Sequence, residues 1–93
     1  MGDSLDFADV FSIVRGHLNP GRLKLNKTGI VFKSVKTGVL ETIPLADLEE
    51  TKWMRVARGF GIKVTTKNGT EHRFHGFKEG DGDKLKVSSV RFL

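Results

Sequence analysis

Residues 21–38 read GRLKLNKTGIVFKSVKTG, and few structures other than a β-hairpin accommodate that pattern. Leu23 and Leu25 alternate with Arg22 and Lys24. After Asn26-Lys27-Thr28-Gly29, Ile30 and Phe32 fall on one side of the chain and Val31 and Lys33 on the other. A period of two marks a strand buried on one face, whereas a helix would group every third or fourth residue. Gly29 and Gly38 stand where the chain turns, and glycine takes positive φ there without a Cβ penalty. Leu23, Leu25, Ile30 and Phe32 are therefore expected to build a core, with Arg22, Lys24 and Lys33 facing solvent.

The same logic extends along the chain. Residues 7–15, FADVFSIVR, fit two templates. Phe7, Val10, Phe11 and Val14 match a helical stripe, while residues 10–14 are rich in β-branched and aromatic side chains. A short turn followed by a strand is preferred, because the segment runs into a hairpin loop at residues 16–21 containing Asn19-Pro20-Gly21. Residues 39–44 form the next strand, with Val39, Glu41 and Ile43 on one side, and Pro44 ends it for want of an N–H. A single helical turn covers residues 45–48. Residues 50–58 make a longer strand with Trp53 and Ala57 on one face and Met54 and Val56 on the other. Gly59 and Gly61 frame a turn, after which Ile62 and Val64 alternate with Lys63 and Thr65. Lys67-Asn68-Gly69 is the clearest hairpin signal, since Asn-Gly suits a type I′ turn, and residues 70–77 are the last strand. Residues 81–93 read as a helix capped by Asp81 or Asp83, with Leu85, Ser89 and Phe92 on one face. Strands recurring roughly every 8–12 residues, then one helix, predict a mainly β fold. It is a seven-stranded sandwich or barrel with the C-terminal helix over one open end.

At 93 residues the chain makes one domain with a thin core. There is no cysteine, which removes disulfides, thiolate catalysis and cysteine-ligated zinc. No apolar run approaches the ~20 residues of a membrane span, and an N-terminus carrying Asp3, Asp6 and Asp9 is unlike a signal peptide. His72 and His75, three apart on a strand, point to opposite faces, and His17 lies in a loop, so no metal site is expected. The two Lys-Thr-Gly triplets, at residues 27–29 and 36–38, lack the Ser-x-x-Lys nucleophile that accompanies such a strand in penicillin-binding enzymes and read as turns. Arg58-Gly59-Phe60-Gly61 has neither the spacing nor the setting of a nucleotide-binding loop. The chain is read as a non-enzyme with no cofactor.

Two features point to binding. The strands at residues 30–35 and 50–58 are apolar on both faces, which demands a covering helix or a partner. One short helix covers only part of that area, so Val31, Val35, Trp53 and Met54 are the candidate partner-binding residues. The charge is also blocked: net +5 overall, but −3 over residues 1–14, +6 over 15–40, −4 over 41–50, +5 over 51–73 and +1 over 74–93. The acid-free block 15–40 makes Arg15, Arg22, Lys24, Lys33 and Lys36 candidate phosphate contacts, on nucleic acid or lipid.

The blocks SLDFADV, GRLKLNKTGIVFKSVKTG, IPLADL and KWMRVARGFGIKVTTKNGTEHRFHGFKEGDGDKL, in that order and spacing, resemble the N-terminal domain of the structure-specific recognition proteins, the smaller subunits of FACT histone chaperones. The resemblance runs from about residue 4 to residue 85. It implies a pleckstrin-homology-like fold spanning residues 1–93 as one N-terminal domain of a longer protein. It further implies heterodimerisation with the large FACT subunit, in a nuclear complex acting on nucleosomes in transcription, replication and repair. Histones and nucleosomes would be met through the whole complex, with weak or absent direct DNA contact by this segment and no membrane. The chain departs from the family after Leu85, where KVSSVRFL places Ser88 and Ser89 at positions expected to be bulky, predicting a short helix. A second reading is a phosphoinositide- or DNA-phosphate-binding module. Membrane-binding pleckstrin-homology domains carry basic residues around the first hairpin, and Arg15, Arg22 and Lys24 match that in part.

Overall fold

The computed structural model describes residues 4–56 and 59–87. Seven strands, β1 (Leu5–Val14), β2 (His17–Asn26), β3 (Gly29–Ser34), β4 (Leu40–Pro44), β5 (Leu48–Val56), β6 (Gly59–Thr66) and β7 (Glu71–Phe77), precede one helix, α1 (Asp81–Val87). All pairings are antiparallel, in the order β4-β3-β2-β1-β7-β6-β5. The two edge strands, β4 and β5, are consecutive in the chain and joined only by the 3₁₀ turn Leu45–Asp47. A three-residue link between opposite edges forces the sheet to curl until those edges meet at a corner. Backbone bonds pin that corner: Leu45 N–H donates to Thr28 O and Lys67 N–H to Asp47 O, both at 2.9 Å. The result is a curled, half-barrel sheet with a helix on its open side, in keeping with the predicted seven-stranded sandwich or barrel with a C-terminal helix.

The opening hairpin forms as its alternation requires. Leu23, Leu25, Ile30 and Phe32 are buried, while Arg22, Lys24 and Lys33 are exposed. Gly29 sits at φ 138°, and a Cβ there would lie 2.1 Å from Ile43 O, so the backbone of β4 closes over a position only glycine can hold. Ile43, Ile62, Val64, Phe74 and Phe77 complete the inner face with Phe7 and Val10. Leu85 of α1 is fully buried against it. The turn that leads into the helix is held by Asp81, the first helical residue, whose Oδ2 accepts from Lys78 N–H at 2.8 Å and whose own N–H donates to Lys78 O at 3.0 Å.

Several local expectations change. Residues 17–20 lie in β2 rather than in a loop, and the β1–β2 turn is the pair Arg15-Gly16, at φ 51° and 80°. Two left-handed residues in succession fit the twist of a tight hairpin, so Asn19-Pro20-Gly21 is free to extend. Gly61 lies inside β6 rather than at a turn. The Asn68-Gly69 turn is not type I′, since Gly69 alone takes positive φ there. Thr66 N–H donates to Thr70 O and Gly69 N–H to Thr66 O, which closes a three-residue loop with a glycine bulge. Ala57, and the helical positions Ser89 and Phe92, lie outside the described residues.

Two bulges bend the sheet. In β1 the register slips between Phe7 and Val10, with Asp9 at φ 59°. In β7 it slips opposite Phe60 and Gly61, with Gly76 at φ 106°. The two meet, because a Cβ on Gly76 would lie 2.8 Å from Asp9 O. Each extra residue turns the rest of its strand over. Phe7 and Val10 thus both point inward, and Phe11 and Ile13 are turned to the outside.

Candidate protein-interaction site

The core and α1 occupy the inner face, so the side chains of the sheet left open are those that point outward. The register lines them up. Val35, just past β3, donates its N–H to Pro20 O at 3.0 Å. Pro20 stands opposite Phe11, Phe11 opposite His75, His75 opposite Gly61, and Gly61 opposite Met54. These six residues make one row across the outer face, through β2, β1, β7, β6 and β5. Val35 is 73% exposed, and Phe11 and Met54 are half-buried on the side away from the core.

The middle of the row is flat for a steric reason. A Cβ on Gly61 would meet His75 Cδ2 and Phe74 O, each at 2.8 Å, so the imidazole lies over the bare glycine backbone. Partial burial, and then the nearby Arg73 guanidinium, hold the His75 pKa below its usual 6.5. The ring is therefore neutral at pH 7 and adds to an apolar surface rather than interrupting it.

Cations flank the row on both sides. The neighbouring row runs Leu18, Ile13, Arg73, Lys63, Lys52. Leu18 is 58% exposed and extends the apolar surface at the β1–β2 end. Glu71 lies near both Arg73, at 3.5 Å, and Lys63, at 3.9 Å, and offsets part of that charge. On the other side Lys33 stands opposite Arg22 in β2 and Leu40 in β4, and Lys24 follows two residues along. Arg22 Nε donates to Asp6 Oδ1 at 2.9 Å.

The sequence-derived candidates divide between the two faces. Val35 and Met54 stand in the apolar row, near its two ends. Val31 also faces outward, half-buried between Lys24 and Thr42. Trp53 points inward. It stacks on Phe60 with ring centroids 5.2 Å apart, meets Phe77 edge-on at 5.8 Å, and leaves only 3.1 Å for a Cβ on Gly82 of α1. Its place is between sheet and helix, and it does not share a surface with Met54. Phe11, Pro20 and His75 were not among the candidates. The signal for them is the Phe7–Val10 spacing of three, which fits a bulged strand as well as a helix.

The candidate phosphate contacts do not converge on a cavity. Arg15 is in the β1–β2 turn, Lys36 is in the loop after β3, and Arg22, Lys24 and Lys33 are neighbours on the outer face. A cleft of 370 Å³ opens where β4 faces the β6–β7 turn; Glu41, Asp47, Lys67 and His72 are among the residues that line it, and none of those five cations is. His72 Nδ1 is 3.8 Å from Glu41 Oε2. Among the described residues no cluster of three or more His, Asp or Glu is placed to hold a metal ion. No helix among them is long and apolar enough to cross a membrane.

Comparison with known proteins adds four observations. Residues 5–91 match the family model of the POB3-like N-terminal PH domain. The chain is 45% identical over 85 residues to the human (Homo sapiens) FACT complex subunit SSRP1. It is 40% identical over the same length to the Drosophila melanogaster FACT complex subunit Ssrp1. In both cases the match takes in 91% of this chain and 12% of the relative, so the chain spans about an eighth of the relatives' length. Its fold superposes on a chain of the Spt16D Pob3N heterodimer structure with a TM-score of 0.79 at 20% identity, over 94% of this chain and 49% of that one.

Proposed function

This chain belongs to the family of POB3-like N-terminal PH domains, and from that premise we propose that it is a non-catalytic dimerisation domain of a FACT-type histone chaperone. Its partner is the large FACT subunit, and its place of action is nuclear chromatin. Histones and nucleosomes are engaged by the assembled complex rather than by this domain. The observation that carries the reading is the apolar row, which the domain's own helix leaves uncovered because α1 lies on the opposite face. An isolated domain gains nothing from holding Val35, Phe11 and Met54 outward in one line, whereas a partner desolvates them together. Val35 and Met54 make direct contacts, Val31 lies at the margin, and Trp53 contributes by fixing the β5–β6 hairpin and α1 from within.

A phosphate-binding role is the weaker reading. Arg22 is engaged by Asp6, and the cleft between β4 and the β6–β7 turn sets two carboxylates, Glu41 and Asp47, beside Lys67. The test is gel filtration of this domain mixed with the dimerisation domain of the large FACT subunit. A co-eluting complex at micromolar concentration supports the proposal, and separate elution of the two removes it.

A further inference from the structure

We propose that the outer face receives an acidic amphipathic segment of the partner, whose apolar side lies along the row while its carboxylates reach the cations on either side. This rests on the dimerisation reading and specifies the chemistry of the surface that meets it. Lys52, Lys63 and Arg73 border the row on one side, and Arg22 and Lys33 on the other, with Lys24 one outward position farther along β2, opposite Val31. Lys52, Arg73, Lys24 and Lys33 are exposed. Three carboxylates stand among these cations on the described part of this face: Glu71 near Arg73 and Lys63, Glu50 two residues from Lys52, and Asp6 paired with Arg22 and opposite Lys24. Lys52, Lys63 and Arg73 outnumber Glu50 and Glu71, and Arg22, Lys24 and Lys33 outnumber Asp6. Both borders therefore keep a positive excess.

An apolar surface with a cationic border discriminates among partners. A neutral apolar segment would fill the row but leave the border without countercharge. A basic segment would be repelled. A segment with carboxylates flanking an apolar stripe meets both requirements, and charge complementarity then governs encounter rate and register. Duplex DNA would answer the border but not the row, because a phosphate backbone gains nothing from Phe11, Pro20 and Met54.

The experiment uses the whole domain and the dimerisation domain of the large FACT subunit, with affinity followed across a salt series. Two charge reversals are compared with wild type, K52E/R73E on one border and K24E/K33E on the other, each checked for native circular dichroism. Both involve exposed residues, so loss of one variant to misfolding leaves the other. The expected result is a complex that weakens from about 0.1 to 0.5 M salt, and reversals that each lower affinity about tenfold and flatten the salt dependence. M54A should weaken binding at every salt concentration. Failure of wild type to form any complex overturns the dimerisation reading and this inference with it. A wild-type complex whose affinity is unchanged by both reversals overturns this inference alone. Preferential binding of duplex DNA, lost in the reversals and indifferent to M54A, overturns it in favour of a phosphate ligand.

Discussion

The inner and outer faces of the sheet are built by the same strands, residue by residue in alternation, yet they follow different rules. Inside, twelve apolar side chains among the described residues, eleven from the strands and Leu85 from α1, close on one another, and each is specified by hydrophobicity and volume. Outside, the row through Phe11, His75 and Met54 is specified by register, because neighbours there belong to different strands and meet only when the bulges at Asp9 and Gly76 are in place. The inner face stabilises the fold. On the proposed reading the outer face contributes its free energy when a partner covers it. Substitutions should therefore separate stability from binding according to the face they strike.

The largest effect is expected at Phe74, which is fully buried at the centre of the inner face and packs on Phe32 at 5.6 Å. Phe74→Ala should cost about 3–5 kcal/mol, a large share of the stability of a domain this size. Urea unfolding would show it as a lower midpoint with little change in slope. Loss of less than about 1 kcal/mol would mean that the inner face is not the tightly packed side. The opposite profile is expected at Met54. Met54→Glu should change the unfolding midpoint by less than about 1 kcal/mol, since its side chain points away from the core. It should cost more than about 2 kcal/mol, or about thirtyfold in affinity, in the complex with the large FACT subunit, by burying an unpaired carboxylate. Titration calorimetry of the same sample reads the second number. A variant that binds as wild type would take Met54 out of the interface.

A smaller effect, and one that titrates, is expected at His75. Its folded pKa lies below 6.5 because burial and Arg73 both disfavour the imidazolium. The unfolded chain therefore binds this proton more readily than the folded one. The contribution to stability is complete above about pH 6.5 and is lost as pH falls through the folded pKa. Urea midpoints at about pH 7.5 and 5.5 should fall further for wild type than for His75→Gln. Equal falls would show that His75 is not the group responsible. The same protonation places a charge in the middle of the apolar row, so affinity for the partner should weaken over the same interval.

The inner face was legible in the sequence wherever alternation ran unbroken. Leu23, Leu25, Ile30 and Phe32 were identified by period alone, and so were Ile62 and Val64. The outer row was not, for a reason that can be located. Phe7, Val10 and Phe11 carry spacings of three and one, which a helix produces and which a strand produces only when it holds a bulge. Nothing local distinguishes the two, since Asp9 in the left-handed region gives no glycine signal. Pro20 and Gly21 carry a loop signal for a similar reason. Their turn chemistry is genuine, but the chain had already turned at Arg15-Gly16. Val35 and Met54 face outward, as the reading of strands apolar on both faces allows. Trp53 satisfies the same rule and points inward, because periodicity separates two faces without saying which one the helix will cover. Only α1, packed on Trp53 through Gly82, decides that.

The smallest expected effect concerns the one hydrogen-bonded ion pair on the described outer face. Arg22 and Asp6 meet at 2.9 Å, but their side chains are 65% and 41% exposed, so solvent screens the pair and its coupling should be about 0.2–1 kcal/mol. The pair has a second consequence. Arg22 lies directly opposite Lys33, and like charges placed across antiparallel strands repel. Asp6 offsets that repulsion, so Asp6→Asn should destabilise slightly more than Arg22→Gln, which removes the ion pair and the repulsion together. A double-mutant cycle in urea, run at about 0.1 and 1 M salt, resolves the two contributions. Both differences should shrink at high salt. If Arg22→Gln proves the more damaging, the aliphatic stem of Arg22 lying along β2 matters more than its charge, and the cationic border of the apolar row is held by packing rather than by Asp6.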